Sequence, residues 1–269
     1  MPDRRRLAIV PARNEEGAVG RVVAELRAFD RGLDVLVIDD GSTDGTAAAA
    51  AAAGATVVSL PFNLGIGGAV QTGFKYALAR GYEVVVRLDG DGQHDPLQIP
   101  NLLAPLHRGE ADVVVGSRFA DGQGDYRAPF ARRAGIRWFA HLVSLLTRQK
   151  LTDTTSGFQA FNARAIRLFA ADYPHDYPEV EAAVMLVRHE LRIVEVPATM
   201  RGRETGSSSI TALRSLYYAV KVTLALLVGV VRRRVVPLSD AQDEHPRERM
   251  LVAQRSLKGR FAPGRHEDS

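Results

Sequence analysis

Along the first half of the chain, short continuous apolar runs alternate with longer stretches in which apolar residues recur every three or four positions. The apolar runs are Leu7 to Ala12 ("LAIVPA"), Asp34 to Asp40 ("DVLVIDD"), Thr56 to Leu60 ("TVVSL"), "EVVVRLD" and "DVVVGSR". Runs of this length read as buried strands. Between the first two, Glu15 to Phe29 carries Val19, Val22, Val23, Leu26 and Phe29 at helical spacing. Thr46 to Gly54 is an alanine run that closes on a glycine, as a helix C-terminus does. Gly67 to Gly81 predicts a third helix, and a proline-started helix separates the last two strands. Continuously apolar strands alternating with helices predict an α/β fold: a mostly parallel sheet flanked by helices on both faces.

The second half is less regular. Pro129 to Gln149 reads as a helix, Asp153 to Asn162 as a loop leading into a short strand, "EVEAAVMLVRHE" as a helix, and Leu191 to Met200 as a strand. Arg201 to Ile210 ("RGRETGSSSI") is a Gly/Ser loop with two arginines. Leu216 to Val231 is apolar except for Lys221 and Thr223, and Arg232, Arg233 and Arg234 close it. A membrane-crossing helix needs roughly 20 apolar residues. This segment is shorter and carries a lysine, so it predicts a helix lying at the membrane interface, its arginines meeting anionic head groups; the other reading is a buried helix packed on the core. From Pro237 onward the chain is polar and punctuated by Pro and Gly, as disordered tails are. The expected organisation is a catalytic domain over residues 1–211, a membrane-associating helix over 212–236 and a mostly disordered charged tail over 237–269.

Composition narrows the chemistry. The chain has 269 residues and no cysteine, which excludes disulfides, thiolate catalysis and zinc–thiolate sites. Its formal net charge of +4 comes from 35 basic and 31 acidic residues. No dense basic stripe interleaved with aromatics appears, so nucleic acid is not an expected partner. The N-terminal apolar run is too short for a signal-peptide core, and the start of the chain is expected in the cytoplasm.

In an open parallel sheet, ligands bind outside the carboxyl ends of the strands. That rule sets "PARNEE", "DDGSTDG", "DGDGQ" and "GSRF" along one rim. Asp89 and Asp91 are hard oxygen ligands, suited with phosphate oxygens and water to Mg2+ or Mn2+. Alone, such a pair is also an ordinary Asp–Gly turn. Asp39, Asp40 and Asp44 surround Gly41 and Ser42; carboxylates after a strand accept hydrogen bonds from ribose or base, while Ser42 or Asp44 also suits the cap of the alanine helix. Arg118, Arg201 and Arg203 are candidate phosphate clamps, since a guanidinium matches phosphate oxygens in pairs. His94, His141, His175 and His189 show no metal-ligand spacing and read as structural. Arg87 places a charge inside a strand that otherwise reads as buried, and nothing in the sequence accounts for it.

Taken in order, "VPARNEE", "VIDDGSTDGT", "NLGIGGAVQTGF", "RLDGDGQHDP", "VGSRF", "SGFQAFN", "VEAAVMLVRHELRIVEVP" and "RGRETGSSS" resemble a family 2 glycosyltransferase of the GT-A fold, in the dolichyl-phosphate mannose synthase-like branch. The resemblance runs from about Leu7 to about Ile210. It implies a nucleotide site at Pro11, Ala12, Arg13, Asn14, Glu15, Asp39, Asp40, Asn63, Gly65, Asp89 and Gly90. It implies a metal and sugar-diphosphate site at Asp89, Asp91 and Gln93. Gln93, Arg118, Arg201, Arg203 and Ser208 would meet donor or acceptor phosphate, with Asp91, Arg118 and Arg203 closest to the chemistry. The family pattern often ends in Ser-Lys, and here Ser209 stands for the lysine; either one cationic contact is absent or Arg201 supplies it.

A sugar hydroxyl acceptor must lose a proton to a base, whereas a lipid monophosphate, with its second pKa about 6, is largely ionised already. Arginines, a membrane helix and no evident His base favour the second. The expected reaction is therefore inverting transfer of a sugar from a GDP- or UDP-sugar to a polyprenyl phosphate. The enzyme would sit peripherally on the cytoplasmic face of the membrane. A transferase acting on a polysaccharide hydroxyl is the close rival, with Asp153, Glu179 or Glu181 as base. A nucleotidyltransferase would want a Gly-rich basic loop after the first strand, and "PARNEE" is not one. A non-catalytic nucleotide-binding protein would lack turnover. The sequence does not choose between donors or sugars.

Overall fold

The computed structural model describes residues 5–120, 138, 140–141, 143–145, 151–153, 155–174 and 178–201. The strands are β1 (Arg6–Ala12), β2 (Leu33–Asp39), β3 (Thr56–Ser59), β4 (Val84–Arg87), β5 (Val113–Ser117), β6 (Gln159–Asn162) and β7 (Ile193–Pro197). The helices are α1 (Glu16–Phe29), α2 (Thr46–Ala52), α3 (Gly65–Ala79), α4 (Ile99–His107), α5 (Ala163–Ala171) and α6 (Pro178–Arg188), with a 3-10 turn at Pro96–Gln98 ahead of α4. The sheet runs β3-β2-β1-β4-β6-β5-β7. All neighbours are parallel except β6, which opposes both β4 and β5.

The central strands β1, β2, β4 and β5 bury both of their faces, which is why those runs are apolar without alternation, while β3 at the sheet edge is partly exposed. Ala8, Val10, Val84, Val86 and Ala160 point to the layer formed with α1 and α4. On α1, Ala18, Val19, Val22, Val23 and Leu26 are buried, the stripe that a 3.6-residue period puts on one face. Burying each of the larger ones stabilises the fold by about 1.5–3 kcal/mol. The opposite layer is aromatic. Phe74 of α3 meets Phe161 edge-on at 4.9 Å, and Phe169 meets Tyr173 edge-on at 4.9 Å. Gly73 lets α3 lie against β1, because a Cβ there would stand 2.6 Å from Ile9 Cγ2.

The expected α/β sheet is present, with strand and helix ends shifted by a residue or two. Two features go beyond the sequence reading. The short strand β6 is antiparallel, and it is followed by α5, a helix the sequence reading passed over. Asn162 caps α5, its side-chain oxygen accepting from the N–H groups of Arg164 and Ala165 at 3.0 and 3.1 Å. Within the expected helix over 129–149, the described residues between 138 and 145 are helical. The segment 212–236 and the tail lie outside the described residues, as do the boundaries set at 211 and 236. Among the described residues, no helix is long and apolar enough to cross a membrane.

The carboxyl ends of β1, β2, β4 and β5 share one rim, and β6 starts from that rim because it runs the other way. The segment just before it, Thr155 to Gly157, therefore arrives beside the end of β4.

Candidate functional site

Two loops close the rim on the β1–β2 side by holding each other. Asn14 adopts φ 53°, a conformation asparagine tolerates better than most residues. Its N–H donates to Ser42 Oγ at 3.0 Å, and its Oδ1 accepts from Thr43 N–H at 2.9 Å. The Glu15 N–H donates to Thr46 Oγ1, and Glu16 Oε2 accepts from Gly45 N–H. Asp44 accepts from Thr46 N–H at 3.0 Å at the start of α2. It is therefore the capping group, while Ser42 serves the neighbouring loop. The Thr46 hydroxyl on Asp44 holds that carboxyl below its ordinary range. Glu15 stands at the N-cap position of α1 without a side-chain capping bond, and its side chain lines the cleft instead.

Asp39 and Asp40 are both buried. Asp39 Oδ1 accepts from Ser42 N–H at 3.0 Å. Asp40 Oδ1 accepts from Leu64 N–H at 2.7 Å and so ties the end of β2 to the loop before α3. In that loop Asn63 Oδ1 accepts from the N–H of Gly65, whose φ is 81°. Pro11, Ala12, Arg13, Glu15, Asp40, Asn63 and Gly65 form one wall of a cleft of about 460 Å3, a size that suits a small organic ligand. Asn14 and Asp39 brace this wall through their loop hydrogen bonds and are not among the residues facing the cleft.

Arg87, Asp89, Gly90, Asp91, Thr155 and Gly157 form the other wall. Gly90 passes close over β1: a Cβ there would stand 3.0 Å from Ala12 Cβ. Asp91 Oδ1 accepts from Gln93 N–H at 3.1 Å. Asp89 is the more constrained carboxylate. Arg87 Nη2 stands 3.7 Å from its Oδ1 and His94 Nε2 3.9 Å from its Oδ2. A Cβ on Gly157 would fall 2.6 Å from Oδ2. Asp89 N–H donates to His94 Nδ1 at 3.0 Å, which leaves the proton of a neutral imidazole on Nε2, towards the carboxylate. His94 is buried and stacked on Phe158 at 5.1 Å. Burial pushes its pKa down, against the pull of Asp89 and Asp91. The expectation that His94 is structural thus needs amending: it positions Asp89.

Among the described residues, no three His, Cys, Asp or Glu side chains converge as a metal cage. Asp89 and Asp91 offer hard oxygens at the open side of a cleft, a donor set that fits Mg2+ or Mn2+ when further oxygens come from phosphate and water. Gln93 is not a cleft-lining residue; its backbone carbonyl accepts from Arg201 N–H at 2.9 Å.

Neither Arg118 nor Arg201 lines the cleft as a phosphate clamp would. Arg118 is largely buried and gives a bidentate pair to Asp153, Nε to Oδ2 at 2.6 Å and Nη2 to Oδ1 at 2.7 Å. It touches the cleft wall through Thr155, whose hydroxyl accepts from Nη2 at 2.6 Å. Arg201 is held on the outer surface by Glu25 at 2.7 Å and Asp95 at 3.1 Å, and the bond to Glu25 raises its pKa. Arg203 and Ser208 lie outside the described residues. Thr155 and Gly157 are site residues absent from the sequence reading, which took His94 only as structural and Arg87 only as an unexplained charge. A charge in a buried strand was the one available signal, at Arg87.

A family model described as glycosyl transferase family 2 matches residues 7–172. An undecaprenyl-phosphate mannosyltransferase of Micrococcus luteus is 37% identical over 214 residues, 76% of this chain and 87% of that protein. A polyprenol monophosphomannose synthase of Mycolicibacterium smegmatis is 29% identical over 219 residues, 78% of this chain and 82% of that protein. Glucosyl-3-phosphoglycerate synthase from Mycobacterium tuberculosis, crystallised with Mn2+, UDP-glucose and phosphoglyceric acid, superimposes with a TM-score of 0.65 at 24% identity, covering 88% of this chain and 82% of that one. At that identity the likeness speaks for the fold.

Proposed function

The chain belongs to glycosyl transferase family 2, and on that footing we propose that it transfers a sugar from a nucleoside diphosphate sugar to a polyprenyl phosphate. The observation that carries this reading is the cleft itself. Asp89 and Asp91 stand on one wall, and the loops braced by Asp40 and Asn14 form the other. The nucleotide lies along the wall from Pro11 to Glu15 with Asp40, Asn63 and Gly65, and its diphosphate reaches towards Asp89 and Asp91. These two carboxylates would hold Mg2+ or Mn2+, which would supply Lewis-acid stabilisation to the departing diphosphate.

The chain's own groups orient the parts. His94 and Gly157 fix where the Asp89 carboxylate points. Asp153 fixes Arg118, which in turn fixes Thr155 at the cleft wall. Arg203 and Ser208 are proposed to meet the acceptor phosphate, as the family resemblance implies. Arg201 is already matched by two carboxylates, which speaks against its replacing the absent lysine.

The acceptor reading is supported by the names of the relatives and by the state of Asp153, one of the candidate bases. One relative is named for undecaprenyl phosphate and the other for the synthesis of polyprenol monophosphomannose. A hydroxyl acceptor would need a base, and Asp153 is fully buried with both oxygens on Arg118. An ionised phosphate attacks the anomeric carbon without one, with inversion there. The apolar and basic segment 212–236 is proposed to keep the enzyme on the cytoplasmic face of the membrane, where such a lipid is found.

The test offers labelled sugar nucleotides in turn, with short-chain polyprenyl phosphate and Mn2+ or Mg2+. Label passes into an organic-soluble product from one donor. It is abolished by EDTA and falls about a hundredfold or more in Asp91→Asn. Metal-dependent donor hydrolysis without lipid product would retain the cleft chemistry and move the acceptor to a hydroxyl.

A further inference from the structure

Arg87 ends β4 with its side chain on the aromatic side of the sheet, and it is 1% exposed. Its Nη1 meets Tyr173 Oη at 3.4 Å, its Nη2 stands 3.7 Å from Asp89 Oδ1, and it forms part of the cleft wall. A guanidinium keeps its proton at any accessible pH. A permanent positive charge is therefore built into the root of the dicarboxylate, where an apolar strand residue would have cost the fold less.

We infer that Arg87 is a resident counter-cation that makes binding of the divalent ion depend on the nucleotide diphosphate. The inference rests on the reading of Asp89 and Asp91 as the ligands of that ion. With Arg87 beside it the Asp89–Asp91 pair carries one net negative charge instead of two, so a divalent ion arriving alone overcompensates the pair. The same ion arriving with a diphosphate does not, because the phosphates bring their own negative charge and also satisfy the arginine's field. Arg87 thus weakens the ion alone and strengthens the ion and diphosphate together. That is a coupling between two ligands, and it acts equally on each.

The experiment is Mn2+ binding to the full chain, read from the free-ion paramagnetic resonance signal, with and without UDP or GDP. Wild type binds Mn2+ weakly alone and far more tightly with the cognate diphosphate. Arg87→Met tightens Mn2+ binding without nucleotide by roughly tenfold or more, the size expected for removing a charge at this distance. The enhancement by nucleotide shrinks by the same factor. Arg87→Lys keeps the wild-type pattern. If Met is not tolerated at this buried position, Arg87→Gln is read by the same two affinities. A folded Met or Gln variant whose Mn2+ affinity without nucleotide is unchanged or weaker overturns the inference, since an arginine that only supports the fold predicts that result. Asp91→Asn separates the two layers. If it binds Mn2+ with nucleotide as wild type does, the dicarboxylate reading fails, and the role of Arg87 falls with it.

Discussion

At Gly157 the backbone passes so near Asp89 that a single added carbon would collide with its carboxylate. The atom it meets is the end of a partly exposed side chain, so the carboxylate can turn aside at small cost to the fold. Gly157→Ala is expected to leave the thermal midpoint nearly unchanged while weakening Mn2+–nucleotide binding by about tenfold, the 1.4 kcal/mol scale of a misplaced contact. Calorimetry and a melting curve on one sample check both. Asp153 is the opposite case. Asp153→Asn leaves Arg118 buried without its charge partner, which costs about 3 kcal/mol of stability in denaturant unfolding. Asp40, Asp89 and Asp91 were legible in the sequence because each follows a buried strand, and a strand end has only one rim to face. Gly157 and His94 were not, because their roles depend on contacts across the sheet. Nothing in "SGFQ" says that its glycine will lie against an aspartate 68 residues earlier. Arg87 was visible as an anomaly, and only Tyr173 and Asp89 around it give the anomaly a meaning.

The elements divide the same way. The alternation of apolar runs and periodic stretches announced β1 to β5 and α1 to α4, since a parallel sheet covered on both faces leaves that signature. The reversal of β6 leaves none: its four residues would be equally apolar in either direction. Helix α5 was overlooked although Asn162 and the apolar positions Ala165, Ile166 and Phe169 marked it. The reversed strand is pinned at its far end by Asp112. This buried carboxylate accepts from Arg192 N–H and from Asn162 Nδ2, both at 2.8 Å, and meets the guanidiniums of Arg164 and Arg192 at 3.3 and 3.5 Å. Burial alone would push its pKa up, but these hydrogen bonds and charges together hold it below the ordinary value of 3.8. A depressed carboxyl contributes stability above its unfolded pKa and loses it as pH falls through the folded one. Wild type should therefore lose stability below about pH 4. Asp112→Asn should start about 2 kcal/mol lower near neutrality and show a shallower loss in that acid window. Equal slopes for the two proteins would remove Asp112 from the account.

The whole molecule sets a nucleotide-sized cleft at one rim of the sheet, with the expected membrane-facing segment and two expected phosphate contacts, Arg203 and Ser208, following β7 in sequence. What enters that cleft second decides the reaction. A phosphate acceptor brings its own negative oxygen, whereas an alcohol needs a base. The candidate base Asp153 is already committed to Arg118. The most direct test offers the enzyme a polyprenyl phosphate and the polyprenol of the same chain length, in the same detergent, with the cognate labelled donor and metal. Product is expected from the phosphate and none above background from the alcohol. Comparable transfer to the alcohol, or none to the phosphate while the donor is still hydrolysed, would contradict it.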